Sequence, residues 1–141
     1  MKRTANARWE GGLKDGRGLV STDSGALDNT KYDFRMRFEE APGTNPEELV
    51  AAAHAGCFSM AFSAELGNRG LTPERIETTC TVTLEMLPKG PTVTSSHLAT
   101  RARVPGGDAA KVREAAEGAK AGCPISRLLN TEIRLDLTVD V

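Results

Sequence analysis

The sequence lacks an excess of charge of either sign. Its 141 residues include 18 Lys and Arg against 19 Asp and Glu, which gives a net charge of -1 at pH 7. Nucleic acids and anionic membranes attract proteins through concentrated positive charge. The chain shows neither a basic patch nor a recognition helix, so its composition gives no reason to expect such partners.

Apolar runs with the length and flanks of a membrane span, targeting segments and linkers are also missing. A bilayer span needs roughly 20 apolar residues with suitable flanks, and residues 1–6 lack the apolar core of a signal peptide. No low-complexity tract divides the chain, and its length suits one domain with a modest core. We therefore expect one cytoplasmic domain covering residues 1–141.

Cysteine is scarce, and the three that occur are Cys57, Cys80 and Cys123. In a reducing compartment, so few thiols argue against a disulfide framework. No Cys-x-x-Cys or His-x-x-x-His spacing indicates a metal site. The thiols are therefore catalytic, metal-binding or plain core residues.

Alternating apolar and polar residues predict several strands. The predicted strands cover residues 1–10, 19–22, 32–38, 76–86, 96–104 and 133–141. In the third of these, Arg37 is expected to point away from an aromatic face. Glycine-rich turns separate the strands, including the one around Arg17.

Two main helices complete the predicted fold. Asn45 and Pro46 form a start signal for an apolar helix that reaches Leu66, and Asp108 caps a second helix that reaches about Ala121. The class is therefore α+β, with antiparallel strands packed on two main helices. Because the first helix is apolar on nearly every face, we expect a second copy of the chain to help cover it.

Cys57 and Cys123 have the strongest claim to chemistry. Cys57 lies inside the apolar helix, where it is either a core residue or a reactive thiol whose pKa a cation must lower. Cys123 precedes Pro124, which favours extended backbone and frees the thiol from the preceding helix. A buried thiol and a second thiol at a mobile helix end suit a two-cysteine redox enzyme.

The remaining candidates have simpler interpretations. Cys80 faces inward on an alternating strand and is expected to pack in the core. His54 is a possible base or zinc ligand near Cys57, although a hydrogen-bonded buried histidine is favoured; His97 is expected to be solvated. Glu47 lies ten residues before Cys57 on the same helix, ~15 Å along it. If Glu47 serves Cys57, it must come from a partner chain.

The sequence resembles the OsmC/Ohr family of peroxide-reducing proteins, specifically the OsmC branch, nearly from end to end. His54-Ala55 before Cys57 favours that branch. The segments that carry the resemblance are Trp9-Glu10-Gly11, Val20-Ser21-Thr22-Asp23-Ser24-Gly25, Arg37-Phe38-Glu39, Gly43-Thr44-Asn45-Pro46-Glu47-Glu48-Leu49, Ala52-Ala53-His54-Ala55-Gly56-Cys57-Phe58-Ser59-Met60 and Ala119-Lys120-Ala121-Gly122-Cys123-Pro124-Ile125-Ser126.

The resemblance implies an intertwined homodimer that reduces organic hydroperoxides to alcohols, with hydrogen peroxide as a poorer substrate. Cys57 would attack the peroxide and Cys123 would resolve the product as a disulfide. Arg37 and Glu47 would form the activating pair, with Arg17 as the alternative arginine. A dithiol, such as a lipoyl group, would be the reductant, and no metal, flavin or haem would be needed.

Two other functions stay open from the residues. The first is a redox switch or stress-induced binding protein that uses the same disulfide to change shape. The second is a metal-binding structural protein that uses Cys57, Cys123 and His54.

Overall fold

A small antiparallel sheet begins the chain. In the computed structural model, which describes residues 1–141, this part belongs to a compact unit formed by Met1–Leu49. The sheet has the order β1-β2-β3, and its strands are β1 (Ala5–Glu10), β2 (Arg17–Thr22) and β3 (Thr30–Tyr32). The predicted antiparallel return after the glycine-rich turn is confirmed, with Glu10 opposite Arg17.

The strand predicted over residues 32–38 is wrong beyond Tyr32. Phe34–Phe38 forms a short helix, α1, because the Asp33 carboxylate caps it by accepting a hydrogen bond from the Met36 N–H at 2.9 Å. The expected outward direction of Arg37 is also wrong, since its guanidinium lies 5.1 Å from the centroid of the Phe38 ring. A strong cap at Asp33 outweighs an alternation of only seven residues.

The long apolar helix begins and ends close to its predicted limits. Helix α2 covers Pro46–Gly67, and the Asn45 side chain accepts a hydrogen bond from the Glu48 N–H at 2.9 Å. The Glu48 carboxylate does not complete a capping box, because it accepts a hydrogen bond from the Thr44 hydroxyl instead. The start signal in the sequence is therefore confirmed, with a changed partner for Glu48.

A second compact unit, Val50–Val141, contains the larger sheet. Its strands β4 (Arg75–Leu87) and β5 (Gly90–Arg103) form an antiparallel hairpin. Strand β5 starts six residues before its predicted start at Ser96, because Gly90 adopts a φ of 118° in the hairpin turn. Strand β6 (Glu132–Asp140) pairs with β5 in parallel, where the prediction had antiparallel strands.

The parallel pairing follows from the helices that connect β5 to β6. Helix α3 (Ala109–Gly122) starts at the predicted cap Asp108, and a second, unpredicted helix α4 (Pro124–Leu128) follows it. This crossover returns the chain in the direction of β5. With two three-stranded sheets and two main helices, the α+β class is confirmed.

The core of the second unit combines one face of the sheet with α2 and α3. The expected inward face of β4 is confirmed from Ile76 to Leu84 but not at Met86, which is 72% exposed. The pairing of β4 shifts in register between Thr83 and Leu84. The fully buried apolar residues are Phe58, Phe62, Leu66, Leu98, Ala102, Val104, Val112, Ala115, Ala116, Ala119 and Cys123.

Much apolar surface remains uncovered in a single chain. Only His54, Phe58, Phe62 and Leu66 are buried among the residues of α2, and Met60 is 78% exposed. The helix is long and apolar enough to cross a membrane by those two criteria, which core helices of soluble proteins also meet. In Met1–Leu49, Gly18 is the one buried residue. The prediction that α2 is buried all round is therefore not met within one chain.

Candidate active site

Cys57 and Cys123 lie side by side in the second unit. Cys57 projects from α2 and is half-buried, whereas Cys123 is fully buried between α3 and α4. Both are free thiols, Cys57 packs against the buried core that contains Cys123, and each thiol shifts the pKa of the other. The fold thus brings together the two cysteines that are far apart in the sequence.

Cys123 occupies a single-residue junction between two helices. Its backbone N–H donates to the Ala119 carbonyl at 2.9 Å and so closes α3, while its sulfur accepts the Ser126 N–H at 3.3 Å and so caps α4. Its φ of -61° and ψ of 136° are the extended geometry predicted from Pro124. The thiol is thus held by two helix ends, where the sequence predicted a short loop.

The two thiols differ in acidity. Burial raises the pKa of Cys57 and outweighs the Ile125 N–H, which acts to lower it, while Cys123 adds to the rise. Burial also acts to raise the pKa of Cys123, but the Ser126 hydroxyl, the Ser126 N–H, the Cys57 thiol and the Ile125 N–H together reverse the effect and lower it. The groups that act on Cys57 include no cation.

His54 is fully buried beside these thiols, as the favoured interpretation of the sequence predicted. Its Nδ1 lies 2.7 Å from the Ser96 hydroxyl and its Nε2 lies 2.8 Å from the Ser126 hydroxyl. Burial lowers the pKa of His54, which favours the neutral ring. Both ring nitrogens are therefore committed to serine hydroxyls.

The third cysteine joins the same group of side chains. The Cys80 sulfur lies 3.2 Å from the Ser96 hydroxyl, and Ser126 lies 3.3 Å from the Cys123 sulfur. Cys80 faces inward from β4 as predicted, and burial raises its pKa although the hydrogen bond with Ser96 acts to lower it. An unbroken series of contacts thus connects Cys80 with Cys123 through His54.

Metal ligation finds no geometric support at this site. No group of three or more His, Cys, Asp or Glu side chains is arranged to hold a metal ion. Because both nitrogens of His54 are bonded to serines, this ring has no free ligand atom to offer.

Arg37 and Glu47 form an ion pair in the first unit. The Arg37 Nη2 lies 2.8 Å from Glu47 Oε1, and its Nε lies 3.2 Å from both carboxylate oxygens. The alternative arginine, Arg17, begins β2 and lies 3.6 Å from Glu10 with 85% of its side chain exposed. Arg37 is therefore the arginine that is bonded to Glu47.

Sequence reasoning missed two residues of this site. Ser126 follows Cys123 by three positions, which is the spacing between a helix cap and the N–H that it accepts, so its backbone contact had a local signal. Ser96 had none, because it lies 42 residues from His54 and its inward position on β5 is an ordinary one. Both serines decide which hydrogen bonds His54 makes.

Comparisons with known proteins agree with this fold. A family model described as OsmC-like protein matches residues 39–138. The chain is 48% identical over 136 residues to Peroxiredoxin OsmC of Escherichia coli (strain K12), covering 96% of this chain and 95% of that protein. It is 33% identical over 127 residues to an "Organic hydroperoxide resistance protein-like" chain of Staphylococcus aureus (strain bovine RF122 / ET3-1), covering 89% and 88%.

A solved structure gives the same result. The crystal structure of the organic hydroperoxide resistance protein OhrB of Bacillus subtilis matches with a TM-score of 0.69 at 25% identity, covering 96% of this chain and 98% of that one. The fold and these relatives define a peroxidase-type enzyme. The chain belongs to the OsmC-like protein family.

Proposed function

We propose that the protein reduces organic hydroperoxides to alcohols through a Cys57 sulfenic acid and a Cys57–Cys123 disulfide, which a dithiol then reduces. The observation that carries this proposal is that Cys57 packs against the buried core to which Cys123 belongs, where each thiol shifts the pKa of the other. Disulfide formation requires closely placed sulfurs, and this placement supports it. The names of the relatives, a peroxiredoxin and organic hydroperoxide resistance proteins, support the peroxide as substrate.

The reaction balances without a metal or an organic cofactor. The Cys57 thiolate attacks the peroxide oxygen distal to the organic group, so an S–O bond forms, the O–O bond breaks, and the alkoxide takes a proton to leave as the alcohol. The Cys123 thiolate then attacks the sulfenic sulfur, which forms the disulfide and releases hydroxide that is protonated to water. An external dithiol, with a lipoyl group as one candidate, restores both thiols by exchange and is itself oxidised.

Arg37 and Glu47 are assigned to activate Cys57. Burial raises the pKa of the Cys57 thiol, so an attacking thiolate needs a nearby cation. Glu47 holds Arg37 through Nε and Nη2, which leaves Nη1 without a hydrogen bond inside the chain. That third nitrogen suits a thiolate or a peroxide oxygen.

A second copy of the chain is proposed to supply this pair. Glu47 and Cys57 belong to the continuous helix α2, on which ten residues span ~15 Å. The exposed apolar side of α2 around Met60 and the lack of a buried core in Met1–Leu49 both favour a partner that covers them. A symmetric dimer with two identical sites is the simplest assembly of this kind.

A steady-state assay with an alkyl hydroperoxide and a dithiol tests the proposed function. The wild-type protein should consume peroxide through many turnovers, whereas Cys57→Ser should consume none. Cys80→Ala is the matched control, since it removes a thiol outside the reaction and should retain turnover. Full activity of Cys57→Ser would contradict the scheme. Disulfide formation without repeated turnover in the wild type would favour the redox switch or binding protein instead.

A further inference from the structure

Five polar side chains form one series of contacts through the core of the second unit. In order they are Cys80, Ser96, His54, Ser126 and Cys123, with separations of 3.2, 2.7, 2.8 and 3.3 Å. The proposed reaction uses only the last of them. No buried side-chain nitrogen or oxygen in the protein lacks a partner, so every nitrogen and oxygen of the series is hydrogen-bonded.

The direction of these hydrogen bonds depends on the proton of Cys123. When Cys123 is a thiol, its S–H donates to Ser126, whose hydroxyl donates to His54 Nε2. His54 then carries its proton on Nδ1 and donates to Ser96. Ser96 in turn donates to the Cys80 sulfur, so every donor points away from Cys123.

Loss of the Cys123 proton reverses the direction of each of these hydrogen bonds. A thiolate accepts from the Ser126 hydroxyl, which must then accept from His54 Nε2. Along the series each proton moves one group further: the Cys123 proton passes to Ser126, the Ser126 proton to His54 Nε2, and the His54 Nδ1 proton to Ser96. The former Ser96 proton passes to Cys80, whose own thiol proton leaves the series at this partly exposed side chain. Nδ1 then accepts from Ser96, and Ser96 accepts from the Cys80 S–H. The neutral ring of His54 has one N–H and one bare nitrogen in both states, so it can change direction without becoming charged.

We propose that His54 is a positioning residue for Cys123, which turns the Ser126 hydroxyl toward the Cys123 sulfur by a change of tautomer when the thiolate forms. The stabilised Cys123 thiolate is the nucleophile of the resolving step, and this catalytic role rests on the proposed function. The change of direction along the five side chains, which we call the relay, needs only the reduced chain.

The surroundings of the series contain few other titratable groups. Cys57 lies beside the Cys123 sulfur on the side of α2. On the other side, Ser126 borders a cleft of about 340 Å³ that Glu117 and Lys120 of α3 also line. These two side chains pair with each other at 3.3 Å.

Nitrogen-15 NMR of the reduced protein tests the tautomer change directly. The chain has two histidines, so in the His97→Gln variant the only histidine signals come from His54. With rising pH, the proton of His54 should move from Nδ1 to Nε2. The midpoint of this change should equal the midpoint for appearance of the first thiolate, measured by ultraviolet absorbance. A His54 that keeps one tautomer through that titration, or that becomes doubly protonated, would overturn the proposal.

Serine variants provide a second readout. Ser126→Ala should raise the pH of the first thiolate midpoint by about one unit, a tenfold loss of thiolate, which is the size of one hydrogen bond to a charge. Ser126→Thr should restore it. Ser59→Ala is the matched control, because it removes a hydroxyl of α2 that lies outside the series and donates to Thr78 at 2.8 Å. An equal shift in Ser59→Ala, or none in Ser126→Ala, would contradict the relay.

These outcomes are distinct from those of the proposed function. The NMR and titration measurements contain no peroxide and no dithiol. A tautomer change in a protein that never consumes peroxide would contradict only the proposed reaction. Normal peroxide turnover with a fixed His54 tautomer would contradict only the relay.

Discussion

Arg37 binds Glu47 through two of its nitrogens, with the closest contact at 2.8 Å between Nη2 and Oε1. The carboxylate side chain is only 12% exposed, whereas the guanidinium is 39% exposed. The ion pair therefore has a fixed, mostly buried end and an accessible cationic end. A lysine at this position could not reproduce the two-point contact.

Arg37→Lys should lower kcat/KM for an alkyl hydroperoxide by about ten- to a hundredfold, the size of one or two charge-assisted hydrogen bonds. Arg17→Lys is the matched control and should stay near wild type, because Arg17 is mostly exposed. Steady-state kinetics on both variants makes the comparison. A large loss in Arg17→Lys with none in Arg37→Lys would transfer the activating role to Arg17.

Mixing two inactive variants tests the shared site. Cys57→Ser and Arg37→Met should each be inactive or nearly so as separate proteins. If the arginine comes from the partner subunit, a mixed dimer regains one intact site, because one chain supplies Cys57 and the other supplies Arg37. Activity that does not rise after the variants are unfolded and refolded together would place Arg37 and Cys57 in the same chain.

Cys123→Ser should separate the two chemical steps. The Cys57 sulfenic acid can still form, so one equivalent of alcohol per chain should appear in a burst. Continued turnover with a dithiol should stop, because the protein disulfide cannot form. Mass spectrometry should find oxygen added to Cys57 in this variant and a Cys57–Cys123 disulfide in the wild type. A second, undiminished turnover with the dithiol would remove the resolving role of Cys123.

The buried His54 predicts how stability changes with pH. Its pKa is lowered in the folded protein from an ordinary value of 6.5 by burial, so the unfolded chain binds the proton more readily. This contribution to stability is fully present above pH 6.5 and is lost as the pH falls toward the folded pKa, by at most about 1.4 kcal/mol per pH unit.

Urea unfolding between pH 7 and pH 5.5 measures this effect. His54→Gln should lose the slope in the free energy of unfolding, whereas His97→Gln, at an exposed ion pair with Asp136, should keep most of it. The same slope in wild type and His54→Gln would show that other groups cause the acid sensitivity.

Two apolar residues of α2 should respond differently to truncation. Phe62 is fully buried, so Phe62→Ala should cost about 3–5 kcal/mol of folding stability at every protein concentration. Met60 is 78% exposed in the single chain, and Met60→Ala should mainly weaken the proposed dimer, with a loss that grows on dilution. Thermal unfolding at several concentrations distinguishes the two, and a Met60→Ala effect independent of concentration would argue against an interface there.

Local signals in the sequence predicted most of the fold. Asn45 and Pro46 fix the start of α2, and Asp108 fixes the start of α3, because capping depends on a few neighbouring residues. Capping also explains the failure at Phe34–Phe38, because Asp33 caps a helix where the alternation predicts a strand. Helix α4 was missed because five residues give too little periodicity to detect.

The site was less accessible to sequence reasoning. Cys57 and Cys123 were identified from their surroundings, but the contacts of His54 bring together side chains 42 and 72 residues apart. Such pairings are set by how β5 and α4 pack on α2, which no local pattern encodes. The exposure of α2 in a single chain was likewise inaccessible, since the partner proposed to cover this helix lies outside that chain.

The junction at Cys123 links the redox state of the sulfur to the local fold. In the reduced protein that sulfur accepts the Ser126 N–H and anchors the first turn of Pro124–Leu128. A disulfide sulfur is neutral and points toward its new partner, so oxidation would leave this turn without its anchor. Each catalytic cycle would then loosen and retighten one short segment, and its amide protons would exchange faster in the oxidised enzyme. The redox state of the Cys123 sulfur could therefore be followed by amide hydrogen exchange in this segment.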